Sequence, residues 1–239
     1  MAWTVGWWQI SVQRVYPTSS ELANTYNRAA AWWHQQLQVL GYGRAYQQLW
    51  QALRHGDYLP HDFAPDQLCD CGIGTAAFSL AFAQTVAPNI QITGIDLAPE
   101  MLNKAQSKLA SAHLHHQMYQ SDVRTLPLNS NSFDIVISAH MLEHLPDPAQ
   151  GLQEMFRILR PGAPIVLVAT RSGFLGSCLQ WHWGNRCFSP PELVNLMHRA
   201  GFSHVNVIPF SLGLAQLTSS AYIGFRPWAR HNNGRVYDC

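Results

Sequence analysis

No charge of either sign dominates this sequence: 15 Lys and Arg stand against 14 Asp and Glu over 239 residues. Without a net field there is little to hold a polyanion by counterion release, so nucleic acid is not an expected partner. Long apolar runs are missing too, and none reaches the roughly 18 consecutive residues that a membrane span requires. The apolar stretch from Met1 to Ile10 has no basic flank, no long aliphatic run and no small-residue cleavage site, so it does not read as a secretion signal. Its Trp3, Trp7 and Trp8 are expected to pack onto the domain, with peripheral contact to a membrane or a partner as the alternative. The five cysteines are odd in number. Cys69 and Cys71, at the end of an expected strand where side chains alternate faces, are not placed to bridge, and their spacing lacks the partner pairs of a zinc site. A reduced, cytoplasmic protein without a metal is expected. The 12 histidines are scattered and build no cluster on one face.

Apolar residues, at 47%, suffice for one substantial core. Between positions 20 and 54, Leu22, Tyr26, Ala29, Ala30, Trp33, Leu37 and Leu40 recur at helical spacing, and Gly41-Tyr42-Gly43 divides the segment into two helices. Beyond a polar loop through Pro60 and Pro65, apolar runs alternate with helical patterns, which predicts an α/β, Rossmann-like doubly wound sheet. Strands are expected at 67–71, 91–95, 114–120, 133–139, 165–170, 202–210 and 221–225, mostly parallel, with the last one antiparallel beside its predecessor. Helices are expected at 76–83, 99–112, 149–159 and 191–200. Pro164, lacking a ladder donor, can only begin a strand, and Ser189 with Glu192 forms a capping box. The division that follows is a helical lid (1–62), a seven-stranded domain (63–227) and a polar tail (228–239).

The first strand of that sheet ends in Asp70-Cys71-Gly72-Ile73-Gly74, a turn whose backbone can approach a ligand at a helix N-terminus. Gly72-x-Gly74-x-x-Ala77 also satisfies the dinucleotide fingerprint, and Asp96 at the end of the second strand would hold ribose hydroxyls in either case. Asp70 tips the choice. A carboxylate there would repel a pyrophosphate but attract the sulfonium and amino group of S-adenosylmethionine. Ser121-Asp122-Val123 places a carboxylate and a backbone amide where an adenine edge could be read, and the fourth strand runs into Ser138-Ala-His-Met-Leu-Glu-His-Leu-Pro-Asp147.

Taken in order, these segments resemble the class I S-adenosylmethionine-dependent methyltransferase family over about residues 26–227. The resemblance implies that Asp70, Cys71, Gly72 and Gly74 form the first binding motif, that Asp96 holds the ribose, and that Leu97 and Met101 flank the adenine. It further implies that Asp122 and Val123 read the adenine edge, and that Ala139 and His140 lie under the methionine portion. Ala76 departs from the pattern, which often has a third glycine there. Tyr26-Asn27-Arg28-Ala29 resembles a segment of the quinone-biosynthesis-like branch whose helix covers cofactor and substrate, which adds Tyr26 to the expected cofactor contacts.

Methyl transfer from a sulfonium is an in-line displacement, so alignment and exclusion of water carry most of the work. A carbon or oxygen acceptor needs a base, and His140 and His182 are the candidates. Trp32, Trp33, Tyr42 and the Trp-rich stretch 171–187 are the expected substrate walls, which suit a small apolar or aromatic, quinone-like molecule. The alternatives are a methyltransferase acting on a protein or RNA, and a dehydrogenase-like nucleotide binder. A monomer or homodimer is expected.

Overall fold

A computed structural model of the chain describes residues 2–5, 8–11, 42–173, 186–211 and 213–228. At the N-terminus β1 (Ala2–Val5) and β2 (Trp8–Ser11) pair as an antiparallel ribbon, an element the sequence reading did not anticipate. α1 (Tyr42–His55) opens within the Gly41–Gly43 break. It buries Tyr42, Ala45, Tyr46, Leu49, Trp50 and Leu53, a stripe at helical period, and ends on Arg54 and His55, which suit the negative end of its dipole.

Five strands follow in parallel: β3 (Gln67–Cys71), β4 (Gln91–Asp96), β5 (His116–Gln120), β6 (Ile135–Ala139) and β7 (Pro164–Thr170). Between them run α2 (Ala77–Thr85), α3 (Pro99–Ser111) and α4 (Pro148–Ile158), and α5 (Pro190–Arg199) comes after β7. The helix and strand bounds differ from the sequence expectation by a residue or two, as is usual at frayed ends. Pro164 does begin β7, and the capping box of Ser189 and Glu192 is formed.

The last part of the sheet is less simple than the sequence suggested. β8 (Ser203–Pro209) and β9 (Ser219–Phe225) are antiparallel neighbours as expected, but β9 inserts between β7 and β8 and is antiparallel to both. The order is β5-β4-β3-β6-β7-β9-β8. The short helix α6 (Gly213–Thr218), absent from the sequence reading, makes the return possible. Arg226, just past β9, donates to the carbonyls of Phe156, Arg157 and Leu159 and so closes the C-terminal end of α4 from a distant part of the chain.

Strand alternation sorts the core into two layers. Leu68, Ile92, Ile135, Ile137, Val166 and Val168 face α1, α2 and α3, while Cys69, Cys71, Ile95, Val136, Ile165 and Leu167 face α4 and α5. Trp50 of α1 lies stacked on Phe78 (4.9 Å between centroids) and edge-on to Phe82 (4.8 Å), so the second half of the appendage is built into the core of the sheet. Cys69 and Cys71 are two apart and therefore share a face, which corrects the expectation that alternation separates them. Their sulfurs are 3.7 Å apart as free thiols, and burial pushes the Cys69 thiol up, which keeps it protonated.

No helix among the described residues is long and apolar enough to cross a membrane, and no group of metal-ligating side chains occurs among them.

Candidate active site

The direction of winding reverses between β3 and β6: the chain leaves β3 for β4 on one side and returns to β6 on the other. Open α/β sheets form their ligand crevice at the carboxyl ends of such strands. Here that position is a cavity of about 970 Å³ including its mouth, walled by Tyr46, Asp70, Met101, Val123 and His140 among others.

The glycine turn builds its floor. Gly72 and Ile73 donate their N–H groups to Ile95 O at 2.8 and 2.9 Å, which pins the turn to the end of β4. Gly72 has φ +80°, and a Cβ there would lie 2.4 Å from Met141 Cγ, so both backbone and space require glycine. At Gly74, φ is +53° and a Cβ would meet nothing within 4 Å. That open space is where a ligand can approach the backbone. Ala76, where the resemblance leads one to expect a third glycine, is held at φ 62°, ψ 21° at the start of α2. The departure thus carries left-handed strain of about 1–2 kcal/mol.

Asp70 shares the face of Leu68 and so points toward α2, where the Ser79 hydroxyl donates to it at 2.5 Å. Burial, aided by the charge of Asp96 and opposed by Ser79, raises its carboxyl to about 7. Asp96 accepts the N–H of Gly74 on Oδ2 and that of Ala98 on Oδ1, each at 2.9 Å. Burial raises this carboxyl too, and the backbone donors Ala98, Gly74 and Leu97 pull it back. Backbone donors thus already occupy part of the acceptor capacity of this carboxylate in shaping the turn. Asp122 is likewise engaged: Arg124 grips it with its guanidinium (Nη2 at 2.6 Å) and its own backbone N–H (2.9 Å).

At the end of β6, His140 has φ 56°, and its Nδ1 lies 3.0 Å from Glu143 Oε1. Burial pushes Glu143 up, but the charge and hydrogen bond of His140, the nearby His144 and the Thr170 N–H together hold it below its ordinary value. The Tyr42 ring stands edge-on to His140 at 5.5 Å, and the Tyr42 hydroxyl lies 3.0 Å from both Thr218 Oγ1 and Ser219 Oγ.

Of the residues expected from sequence, Asp70, Gly72, Gly74, Asp96, Leu97, Met101, Asp122, Val123, Ala139 and His140 converge on this one cavity. Cys71 does not: its thiol turns into the α4 layer, and it contributes a carbonyl that accepts from Ser138 Oγ at 2.6 Å. Tyr26 and His182 lie outside the described residues, as do Trp32, Trp33 and the stretch 174–185. Sequence reasoning missed Tyr46 and Phe78, whose rings meet at 4.8 Å on the cavity wall, because each looks like ordinary helix stripe. It also missed Glu143 as the partner of His140, although their three-residue spacing was a signal.

Residues 69–167 match the methyltransferase-domain family. A demethylmenaquinone methyltransferase of Desulfitobacterium hafniense is 36% identical over 118 residues, covering 48% of this chain and 47% of that protein. The enzyme of the same name from Listeria monocytogenes is 28% identical over 185 residues, covering 66% of this chain and 76% of that one. In fold, the chain is similar to a methyltransferase of Thermotoga maritima described as a possible histamine N-methyltransferase, with a TM-score of 0.67 at 20% identity over 86% of this chain and 99% of that one. Motif order, sheet topology and relatives agree: residues 69–167 carry a methyltransferase domain, and the chain is similar in sequence and fold to S-adenosylmethionine-dependent methyltransferases.

Proposed function

We propose that this protein methylates a small, apolar or aromatic, quinone-like molecule in the cytoplasm, with the cofactor held in the cavity between β3, β4 and β6. The observation that carries the reading is the meeting, in that cavity, of a buried carboxylate (Asp70), a backbone turn open at Gly74 and an imidazole (His140) beside aromatic walls. Bound S-adenosylmethionine would supply a methyl group on a cationic sulfonium. The fit is chemical: Asp70, drawn toward neutrality by burial, regains its charge beside a cation, and the Asp96 carboxylate at the end of β4 can accept from a ribose hydroxyl. Leu97, Met101 and Val123 supply apolar faces for a purine, with Asp122 at its edge.

On the acceptor side, Tyr46 and Phe78 offer rings to a flat apolar molecule, and His140 takes the proton that a carbon or oxygen acceptor must lose. His182 and Tyr26 belong to the same proposal as a competing base and a cofactor contact. So does the division into appendage (1–62), domain (63–227) and tail (228–239), with α1 as the part of the appendage that joins the core. A monomer or homodimer, with peripheral membrane contact where the acceptor is lipid-borne, completes it.

Titration calorimetry should give micromolar-range binding of S-adenosylmethionine and none of NAD. Labelled methyl from S-adenosylmethionine should appear on a reduced naphthoquinone and not on bulk protein or RNA. Label on macromolecules alone would replace the small-molecule reading, and selective NAD binding would remove the methyl-transfer one.

A further inference from the structure

His140 departs from ordinary backbone and ordinary side-chain pairing at once. It is held in the left-handed region, where a non-glycine residue persists only when its surroundings enforce it. Its backbone N–H donates to Val168 O at 2.8 Å, which ties the bend to β7. Its Nε2 is buried without a hydrogen-bond partner among the described residues, a state that costs about 1–3 kcal/mol. Tyr42, whose ring stands edge-on to the imidazole, turns its hydroxyl to Thr218 and Ser219 instead.

Glu143 explains which way round the ring is. This carboxylate is 1% exposed and is met by Nδ1 of His140, by the backbone N–H of Thr170 and by the Thr170 hydroxyl at 2.9 Å. An ionised carboxylate can only accept, so the nitrogen that faces it must carry a proton. In a neutral imidazole the other nitrogen is then a bare lone pair. The Thr170 hydroxyl, which donates to Glu143 Oε2, lies 3.3 Å from the same Nδ1 and strengthens its preference for the protonated form. The titratable groups that face this dyad are His144 from the same turn, Tyr42 and Tyr46 from α1 and Tyr222 from β9. Burial raises all three tyrosines, so they stay neutral wherever the enzyme would be assayed.

We propose that Glu143 is a positioning residue that locks His140 in the Nδ1–H tautomer and so presents the unpartnered Nε2 to an acidic proton on the methyl acceptor. The inference rests on the assignment of His140 as base made above. In the step itself, the acceptor's O–H bond breaks, the proton goes to Nε2, and the electron pair stays on the acceptor for attack. Glu143 remains an anion throughout and faces the imidazolium that forms. A neutral amine has no such proton to give before it attacks, so the device favours acceptors with an acidic hydroxyl.

The test is nitrogen NMR on protein with ring-labelled histidine, with His140→Gln identifying the signal. The wild type should show His140 protonated at Nδ1 and bare at Nε2 at neutral pH, a result that needs no variant to fold. Glu143→Gln should lose that tautomer preference and lower kcat at least about tenfold on a reduced naphthoquinone, with KM and S-adenosylmethionine affinity unchanged. Glu143→Asp, which keeps the anion, should retain the tautomer and recover part of kcat; it stands in if the Gln variant fails to bind cofactor. An Nε2–H signal in the wild type, or a Gln variant with unaltered tautomer and kcat, overturns the positioning role alone. Full turnover in His140→Gln instead overturns the base assignment beneath it, whatever the spectra show.

Discussion

Replacing Asp70 by Asn should make the protein more stable and worse at holding its cofactor. The side chain is 1% exposed, and burial lifts its carboxyl from the ordinary 3.8 to about 7. That displacement corresponds to about 4 kcal/mol of ionisation free energy. The sign follows from linkage: with the folded value above the unfolded one, the folded state keeps a proton that the unfolded chain releases between about pH 4 and pH 7. Stability from this group is fully present below the lower limit, is lost as pH rises through the upper one, and stays lost above it. Asn keeps the shape and an acceptor for Ser79 Oγ but has no charge to bury. With relaxation taken into account, the variant should gain about 2–4 kcal/mol at pH 8 and little near pH 4, which for a chain of this length is about 4–16 °C in Tm. Its affinity for S-adenosylmethionine should fall at least about tenfold, since a charge-assisted contact is worth about 1.5–3 kcal/mol. Thermal melts of both proteins at the two pH values, with calorimetric titrations at pH 8, measure both effects. A variant no more stable than wild type at pH 8, or one with the same advantage at both pH values, would refute the reasoning.

Two further substitutions probe how site and fold are joined. Asp96→Ala removes the acceptor of the Gly74 and Ala98 N–H groups as well as the expected ribose contact, so cofactor affinity should drop at least about tenfold and stability should fall by about 1–3 kcal/mol, read by calorimetry and denaturant titration. Trp50→Ala should cost about 3–5 kcal/mol in the same denaturant assay, because the ring is fully buried against Phe78 and Phe82. By the same logic a chain lacking residues 1–41 should still fold and bind cofactor while losing turnover, whereas one lacking 1–55 should show no cooperative melt; the reverse order would remove α1 from the core.

The inner parallel strands β3, β4, β6 and β7 could be read from sequence because they are buried on both faces, unlike the exposed edge strand β5. Such strands are short, apolar and bounded by turn residues, as β6 and β7 are. The place of β9 could not be read that way. Its apolar pattern states that it is a buried strand, but the choice of β7 and β8 as neighbours is made by tertiary pairing. α6, at six residues, is too short to show a period at all. α1 could be read as an amphipathic helix, but only packing reveals that its stripe meets α2 within the main core.

Within the site, residue identity was legible and residue workload was not. Asp96 and Asp122 stood out as carboxylates and Glu143 did not, yet each has backbone or side-chain partners of its own before any ligand arrives: Gly74 and Ala98, Arg124, and Thr170 with His140. Ala98, Arg124 and His140 lie within three residues of the carboxylate each meets, but Gly74 and Thr170 come from other turns and strands, where no spacing rule points. The local rules that do fail here fail together at one edge of the sheet: Asp70 is a carboxylate raised by burial, Ala76 and His140 hold left-handed backbone, and Nε2 of His140 lacks a partner. Each is unfavourable in the protein by itself, by about 1–3 kcal/mol for the strained residues and the bare nitrogen. A cation beside Asp70 and an acidic hydroxyl at Nε2 would relieve the charge and the nitrogen at once. The free energy withheld from the fold at this edge is therefore available to binding, and the gain in stability expected of Asp70→Asn measures part of it directly.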